Sequence, residues 1–398
     1  MPAQTPRERV RATLRHQEPD RVPVCIGGTG GKLTESRMEL LKQHFDINGS
    51  VEPVLVGPQL MRLDDRVLDA LQTDVRYVYM RPPAGFRTQE APGGGWLYEW
   101  GLTFREHPVS RMYEYVNHPL AEATRQSLDS FDWPDPLDPV RWTGLREEAY
   151  QLYTQTDFAL VAYRPTYNGL FEMCQTLRGT EQLFMDMSLQ PDFAEALFWK
   201  VGEVMKGFYL AQLDAVGEFV EWVEMGDDLG SQNGPLISPT MYRTLLKPVH
   251  ADLIKSIKRH SPQVKVMFHS CGAIRRFITD FVDIGVDILN PIQVAAKGMI
   301  PGEIKAEVGQ RLCFLGGVDS QHVMPEGTSA QVRLEVLQRL REMGPGGGYI
   351  LSPSHNIGDD VPLENILAFF ETGRDCGTYP LNQRDLRVSA RKDGHSGY

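Results

Sequence analysis

The residues best placed for chemistry in this chain are a histidine and a cysteine two positions apart, His269 and Cys271. In an extended segment, residues i and i+2 project to the same side. An imidazole nitrogen and a thiolate so placed can share one ion, and that donor pair suits zinc. A packed cysteine beside a hydrogen-bonded histidine has the same spacing, so the pair needs a further ligand from elsewhere in the chain. His355, within Ser354, His355, Asn356 and Ile357, is the expected third ligand; the alternative is a loop histidine that contacts substrate or forms a hydrogen bond. Three protein ligands and one open position describe a catalytic zinc rather than a structural one.

Carboxylates come next. Glu224, Asp227 and Asp228 fall within one short segment. Glu224 and Asp228 are expected to act in catalysis, by orienting a ligand histidine, serving as general base or holding a cationic group. Asp227 is expected to cap the following helix or face solvent. Asp319, after Gly316, Gly317 and Val318, is a further catalytic candidate. Asn290 and Gln293 offer amide contacts to a substrate, with turn and cap chemistry as the alternative. Tyr163 and Tyr167, with Phe171 and Trp222, are expected to shape an aromatic pocket, although each alone is a residue that also packs barrels.

Most of these residues fall at or just past the ends of short apolar runs, which must be the elements that position them. The runs are 158–163, 219–224, 264–269, 286–290, 312–316 and 348–352. They alternate with amphipathic stretches over 192–216, 239–260, 274–284, 300–308, 329–343 and 362–374. Such alternation implies parallel strands joined by helical crossovers. Residues 22–26 read as a further strand, and 75–80 as an eighth. No Gly-rich dinucleotide fingerprint is present. The expected fold is therefore α/β, a single (β/α)8 TIM barrel over 1–380. It carries an N-terminal helical extension over 6–16 and a β-hairpin-like insertion over 82–106. A Pro- and Asp-rich crossing loop is expected over 127–141 and a polar tail over 381–398. In such a barrel the C-terminal strand ends converge on one mouth, where chemistry is done. Polar residues at so many strand ends are hard to obtain from turn composition alone.

Composition narrows the function classes. The 398 residues are 41% hydrophobic and 23% charged, as in soluble globular proteins. A net charge of −11 argues against a nucleic-acid or anionic-membrane surface, since both need a basic patch. The charged N-terminal stretch has no apolar core, and no run approaches the length of a membrane span. The 5 cysteines are odd in number and scattered, which is not a disulfide framework, and a reducing cytoplasm is expected.

Several segments carry a resemblance. Arg7, Glu8, Arg9 and Val10, followed by Glu18, Pro19, Asp20, Arg21, Val22, Pro23 and Val24, resemble the N-terminal signature of the uroporphyrinogen decarboxylase superfamily. The segments 269–272, 285–290, 316–319 and 362–366 resemble its methyltransferase-type branch, which includes methylcobalamin:coenzyme M methyltransferases and corrinoid-dependent demethylation enzymes. The resemblance runs to about Pro380 and is more specific for the superfamily than for the reaction. It implies zinc, and a corrinoid supplied by a partner protein or as free methylcobalamin. The corrinoid-carrying modules of such systems present an Asp-x-His-x-x-Gly motif, which this chain lacks.

Two departures bear on the reaction. The decarboxylases carry an arginine-rich segment after the first strand that grips the porphyrinogen carboxylates; here Gly27, Gly28, Thr29, Gly30, Gly31 and Lys32 contain no arginine. The thiol-methylating relatives use His, Cys and a second Cys, and His355 stands where that second Cys would fall. One thiolate instead of two would leave the zinc site cationic and a better Lewis acid for a leaving oxygen. The expectation is a zinc-dependent methyltransferase moving a methyl group between a small O-methyl substrate and a corrinoid protein that docks over the barrel mouth. A thiol methyltransferase using methylcobalamin, a metal-free decarboxylase-like lyase and a non-catalytic binding protein on an enzyme fold are the alternatives.

Overall fold

The computed structural model describes residues 3–29, 31–49, 63–83, 90–91, 94–106 and 113–381. In chain order the strands are β1 (Val75–Val78), β2 (Trp96–Tyr98), β3 (Leu102–Glu106), β4 (Tyr113–Tyr115), β5 (Ala159–Ala162), β6 (Val220–Gly226), β7 (Lys265–His269), β8 (Ile288–Asn290), β9 (Cys313–Val318) and β10 (Tyr349–Pro353). Seven of them form one parallel sheet in the order β1-β5-β6-β7-β8-β9-β10. The eighth position belongs to residues 22–26, which span the gap between the sheet's two edges. Cys25 N–H donates to the Leu351 carbonyl and Leu351 N–H to the Pro23 carbonyl, both at 2.9 Å. On the other side Asp74 N–H donates to the Val24 carbonyl at 2.9 Å, and the Asp74 carboxylate accepts Val24 N–H at 2.7 Å. The expected barrel is thus present, with its first strand reduced to a bridge.

Period-two alternation sorts each strand's residues onto two faces. Val75, Tyr77, Val161, Trp222, Met267, Ile288, Leu315 and Ile350 fill the barrel interior. Val78, Leu160, Val223, Phe268, Leu289, Phe314 and Leu351 pack outward against the helices. Residues Val10 and Leu14 of the helix Pro6–Leu14 join the interior cluster, so the N-terminal helical extension closes the barrel's base. The helix begins with a capping box, Thr5 accepting from Glu8 N–H and Glu8 from Thr5 N–H, with Pro6 in its first turn.

Two expectations change. The insertion is a three-stranded antiparallel sheet, β2-β3-β4, rather than a hairpin, because 113–115 pairs with β3 in the register Phe104↔Tyr115. Residues 84–89 and 92–93 of the expected hairpin lie outside the described residues, as does the expected tail from 382 onward. The crossing loop over 127–141 opens inside a helix, Arg125–Ser130, because Thr124 and Ser127 form a capping box that starts it. Among the described residues no helix is long and apolar enough to cross a membrane.

Candidate active site

The C-terminal ends of β6, β7 and β8 lie side by side, with Gly226 opposite His269 and His269 opposite Asn290. Asp228 and Cys271 follow just beyond the first two ends. One donor atom from each of Asp228, His269 and Cys271 lies within 4.8 Å of the other two. Donors around one tetrahedral zinc sit about 3.5 Å apart, given bonds of about 2.0–2.3 Å, so small side-chain adjustments would close this group on an ion.

His269 is presented in the form a metal requires. The ring is buried, and Nδ1 lies 2.5 Å from Asn290 Oδ1. A carboxamide oxygen only accepts, so Nδ1 carries the proton and the Nε2 lone pair is left free. Nε2 points towards Asp228 Oδ1, 3.7 Å away. Asn290 Nδ2 in turn donates to the Leu315 carbonyl at 3.0 Å, fixing the amide's orientation. This is the outer partner that metal-bound histidines ordinarily have. Burial pushes His269 down to about 4, against the pull of Asp228, so the ring is neutral at neutral pH. Burial and the adjacent Asp228 push the Cys271 thiol up, and a thiol held in that way ionises when a cation arrives. Burial alone would raise Asp228; His269 and the Cys271 N–H, which donates to Oδ1 at 3.0 Å, hold it below the usual carboxylate range.

His355 lies outside this tight group. Its side chain is exposed, with the ring centroid 6.1 Å from that of His269. The loop after β10 is drawn sideways onto residues 32–34: Ile357 N–H donates to the Lys32 carbonyl at 2.8 Å, and Lys32 N–H to Asn356 Oδ1 at 3.0 Å. The structure therefore gathers Asp228, His269 and Cys271, with His355 one ring away, where the sequence pointed to His269, Cys271 and His355.

The other expected residues divide. Glu224 is fully buried; Oε2 accepts from Thr29 N–H at 2.9 Å and Thr29 Oγ1–H at 3.0 Å, while Oε1 has no partner. Burial pushes it up to about 7, against those hydrogen bonds. Gly28 makes the close approach workable: it has φ +65°, and a Cβ there would collide with Glu224 Oε1 and Tyr77. Tyr163 is buried with its hydroxyl unpartnered, and Tyr167 lies half-buried beside Arg164. Asp227 is a cap, but it is buried and serves an earlier helix, Leu170–Arg178, rather than the one that follows, accepting from Phe171 N–H at 2.6 Å and Glu172 N–H at 3.1 Å. Asp319 is not brought into the group. Its Oδ1 accepts from Gln321 N–H at 2.8 Å and Oδ2 faces His322 Nδ1 at 3.2 Å, because the chain turns immediately after β9. Asn290 orients His269, as described, and is fully buried. Gln293 accepts from Gly272 N–H at 2.6 Å and donates to Gln232 and Gln321, which ties its own mouth loop to three others.

Three mouth residues were not singled out from the sequence: Lys32, Arg164 and Glu172. Arg164 directly follows the apolar run 158–163, so the strand-end rule that marked its neighbours applied to it as well. Glu172 was concealed inside a helical stretch; its Oε2 accepts from Gly169 N–H at 3.0 Å, and burial together with Asp228 pushes it up to about 8.

A parallel barrel with ionisable side chains gathered at its C-terminal mouth defines a class, the TIM-barrel enzymes, and comparison with known proteins narrows it. The family model for uroporphyrinogen decarboxylase matches residues 170–376, over half of the chain, and the protein belongs to that family. The uroporphyrinogen decarboxylase of Trichodesmium erythraeum is 22% identical over 192 residues, covering 48% of this chain and 49% of that protein. That of Prochlorococcus marinus is 27% identical over 191 residues, covering 47% and 49%. The chain thus spans about half the length of the curated relatives it matches. Among solved structures, a methyltransferase from Methanosarcina mazei is similar at a TM-score of 0.66 and 18% identity, covering 94% of this chain and 99% of that one. At that identity the likeness shows the fold.

Proposed function

We propose that this protein is a zinc-dependent methyltransferase that moves a methyl group between a small O-methyl compound and a corrinoid held by a partner protein. The observation that carries the reading is the convergence of Asp228, His269 and Cys271 donors within 4.8 Å at the mouth. Their chemistry fits zinc: one carboxylate oxygen, one imidazole nitrogen with its tautomer fixed, and one thiol ready to lose its proton. A zinc ion there supplies Lewis acidity towards an oxygen that must leave. The remaining work falls to side chains. Asn290 holds the His269 ring, the Cys271 N–H holds Asp228, and Glu224, near neutrality with a free Oε1, is able to give a proton to a departing oxygen. That the Methanosarcina mazei neighbour is a methyltransferase supports the reaction class.

Asp228 alters the reasoning from charge. Zinc with Asp, His and Cys has two anionic ligands, like the His-Cys-Cys pattern of the thiol-methylating relatives, so the site is not cationic. What persists is hardness: carboxylate in place of a second thiolate suits an oxygen ligand better than a sulfur one. The equal charge favours one second reading, a thiol as methyl acceptor, since a neutral site keeps a bound sulfur nucleophilic.

The test is zinc content followed by methyl transfer. Wild-type protein is expected to hold about one zinc per chain, and both Cys271→Ser and Asp228→Asn to lose it with the fold retained by circular dichroism. Zinc-loaded protein should then methylate reduced cobalamin from 3-methoxybenzoate. Zinc retained in both variants would sink the site. A zinc enzyme that methylates only thiols would replace the first reading by the second.

A further inference from the structure

We infer that Arg164 and Lys32 form a recognition site for a carboxylate on the substrate, so that the methyl-bearing compound is a small methoxy acid. This rests on the methyltransferase reading and narrows its substrate class.

The starting observation is a contrast among arginines. The buried side chains of Arg9, Arg76, Arg141 and Arg178 each meet a carboxylate of the protein. Arg164 is mostly withdrawn from solvent, yet it has no ion-pair partner among the described residues, and its Nε has neither solvent contact nor a hydrogen bond. Its guanidinium sits 5.9 Å from the centre of the Tyr167 ring. Lys32 also has no ion pair among the described residues, and its Nζ lies 5.2 Å from the centre of the Tyr163 ring. Between them lies Tyr163, 1% exposed; its hydroxyl makes no hydrogen bond of good geometry but is the polar group that both cations approach. Burial works to raise Tyr163, but Lys32 and Arg164 together bring it below its ordinary value, so both cations act at one place.

Among the described residues no nearby carboxylate makes an ion pair with either cation, although the charge of Glu172 acts on Arg164. Glu172 turns Oε2 to Gly169 N–H, Glu224 turns Oε2 to Thr29, and Asp228 faces His269 and Cys271. A guanidinium removed from water without a partner is costly. Departures of this kind from full pairing are expected where a ligand completes the set. The missing partner is an anion, and a planar carboxylate matches the guanidinium fork in two parallel hydrogen bonds. Position makes it a substrate group. Arg164 follows the C-terminal end of β5, next to the end of β6 that leads to Asp228. A carboxylate held there places the rest of a small molecule over the metal group.

The test is calorimetric binding of 3-methoxybenzoate and its neutral isostere 3-methoxybenzamide to zinc-loaded wild type, Arg164→Gln, Arg164→Lys and Lys32→Gln. Wild type is expected to prefer the acid by about 20-fold or more, Arg164→Gln to lose that preference to within about threefold, and Arg164→Lys to keep part of it, as loss of one charge-assisted bidentate pair implies. Equal binding of the two probes by wild type, no binding of either at about 10 mM, or an unchanged preference in Arg164→Gln overturns the site. If Arg164→Gln does not fold, Lys32→Gln decides: its half-exposed side chain can be shortened without disturbing the core, and a preference unchanged within twofold overturns the pair. The zinc content of wild type, measured in parallel, separates this inference from the function it rests on. A preference for the acid in a protein that never binds zinc retains the carboxylate site and removes the methyltransferase reading. Zinc binding without preference does the reverse.

Discussion

The two ends of the barrel handle buried charge in opposite ways. At the base, Arg9 meets Asp20 at 2.7 Å and Asp74 at 2.5 Å, Arg21 meets Asp74 at 2.9 Å, and Asp74 also accepts the Val24 N–H. The Asp74 carboxylate is fully buried and both of its oxygens are used. At the mouth, Glu224 Oε1, the Tyr163 hydroxyl and Arg164 Nε are buried and unpartnered. Glu224 and Glu172 are pushed up towards or past neutrality, and His269 is pushed down. A satisfied network fixes where the chain closes on itself; an unsatisfied one costs stability and leaves atoms available to a ligand. The same division between a stabilising bottom face and a reactive top face is general for this architecture.

Mutation at the two ends should therefore separate activity from stability. The largest effect is expected at the mouth. Cys271→Ser should lower methyl transfer by roughly 1000-fold or more, the scale on which removing a metal's charge stabilisation acts. Its unfolding free energy in urea, measured metal-free, should stay within about 1 kcal/mol of wild type, since serine replaces the half-buried loop cysteine with a change of one atom. A Cys271→Ser protein that is inactive because it is unfolded would break the comparison. At the base, Asp74→Asn should cost about 3–5 kcal/mol, because it leaves two arginines facing a neutral group in a buried site. The folded fraction should retain wild-type turnover. Loss of turnover in folded Asp74→Asn would mean that the base also controls the mouth.

The strands that position the mouth were legible because each reads as a short apolar run closed by polar residues, and 265–269 and 349–353 fall almost where the runs predict. The first half was harder to read for a physical reason. Its helix Glu35–His44 is short and mostly polar and its helix Asp65–Ala70 is under two turns long, so their periodicity is faint. The insertion's third strand, Tyr113–Tyr115, is three residues long and gains its identity only from pairing with β3. At the site, the spacing of His269 and Cys271, together with their place at a strand end, marks them as candidates. That Asp228 lies within 4.8 Å of both, with His355 one ring further off, depends on the register of β6 against β7 and the sideways pull of residues 32–34 on the last loop. No spacing in the sequence encodes either.

The third expected effect is on pH dependence and belongs to Glu224. Its pKa stands near 7 in the fold and at the ordinary 4.5 in the unfolded chain. Between those values the folded state holds a proton that the unfolded state has released, so stability falls as pH rises through the window. The full displacement corresponds to roughly 3 kcal/mol. Carboxylates held low by partners, such as Asp20 and Asp280, act in the opposite direction at lower pH, so the observable is the difference between wild type and Glu224→Gln. Glutamine keeps the acceptor for Thr29 and does not titrate. Wild type should lose stability relative to Glu224→Gln between about pH 4.5 and 7 and lose no more above it. A flat difference would show that Glu224 is ionised throughout and cannot serve as a proton donor near neutrality.

The smallest expected effect tests whether the mouth is prepared for metal by its second layer of side chains. Asn290 touches no proposed ligand position with its own donor atoms; it holds His269 Nδ1 through Oδ1 and is itself held by the Leu315 carbonyl. Asn290→Asp should be tolerated for zinc, since a carboxylate accepts the same Nδ1 proton and makes the imidazole more basic. Asn290→Leu keeps the volume but offers no acceptor, so the ring is free to change tautomer or rotate, and Nε2 no longer faces Asp228 in its free form. Zinc affinity, measured by competition with a chelator, should fall about 10–100-fold in Asn290→Leu, the range found when outer partners of ligand histidines are removed. Asn290→Asp should stay within about threefold of wild type. Buried amide loss also costs stability, so the ratio between the two variants, compared at equal folded fraction, is the informative quantity. Equal affinity in the two would mean that backbone packing alone orients His269, and the mouth's readiness for an ion would then reside in Asp228 and Cys271 rather than in the layer behind them.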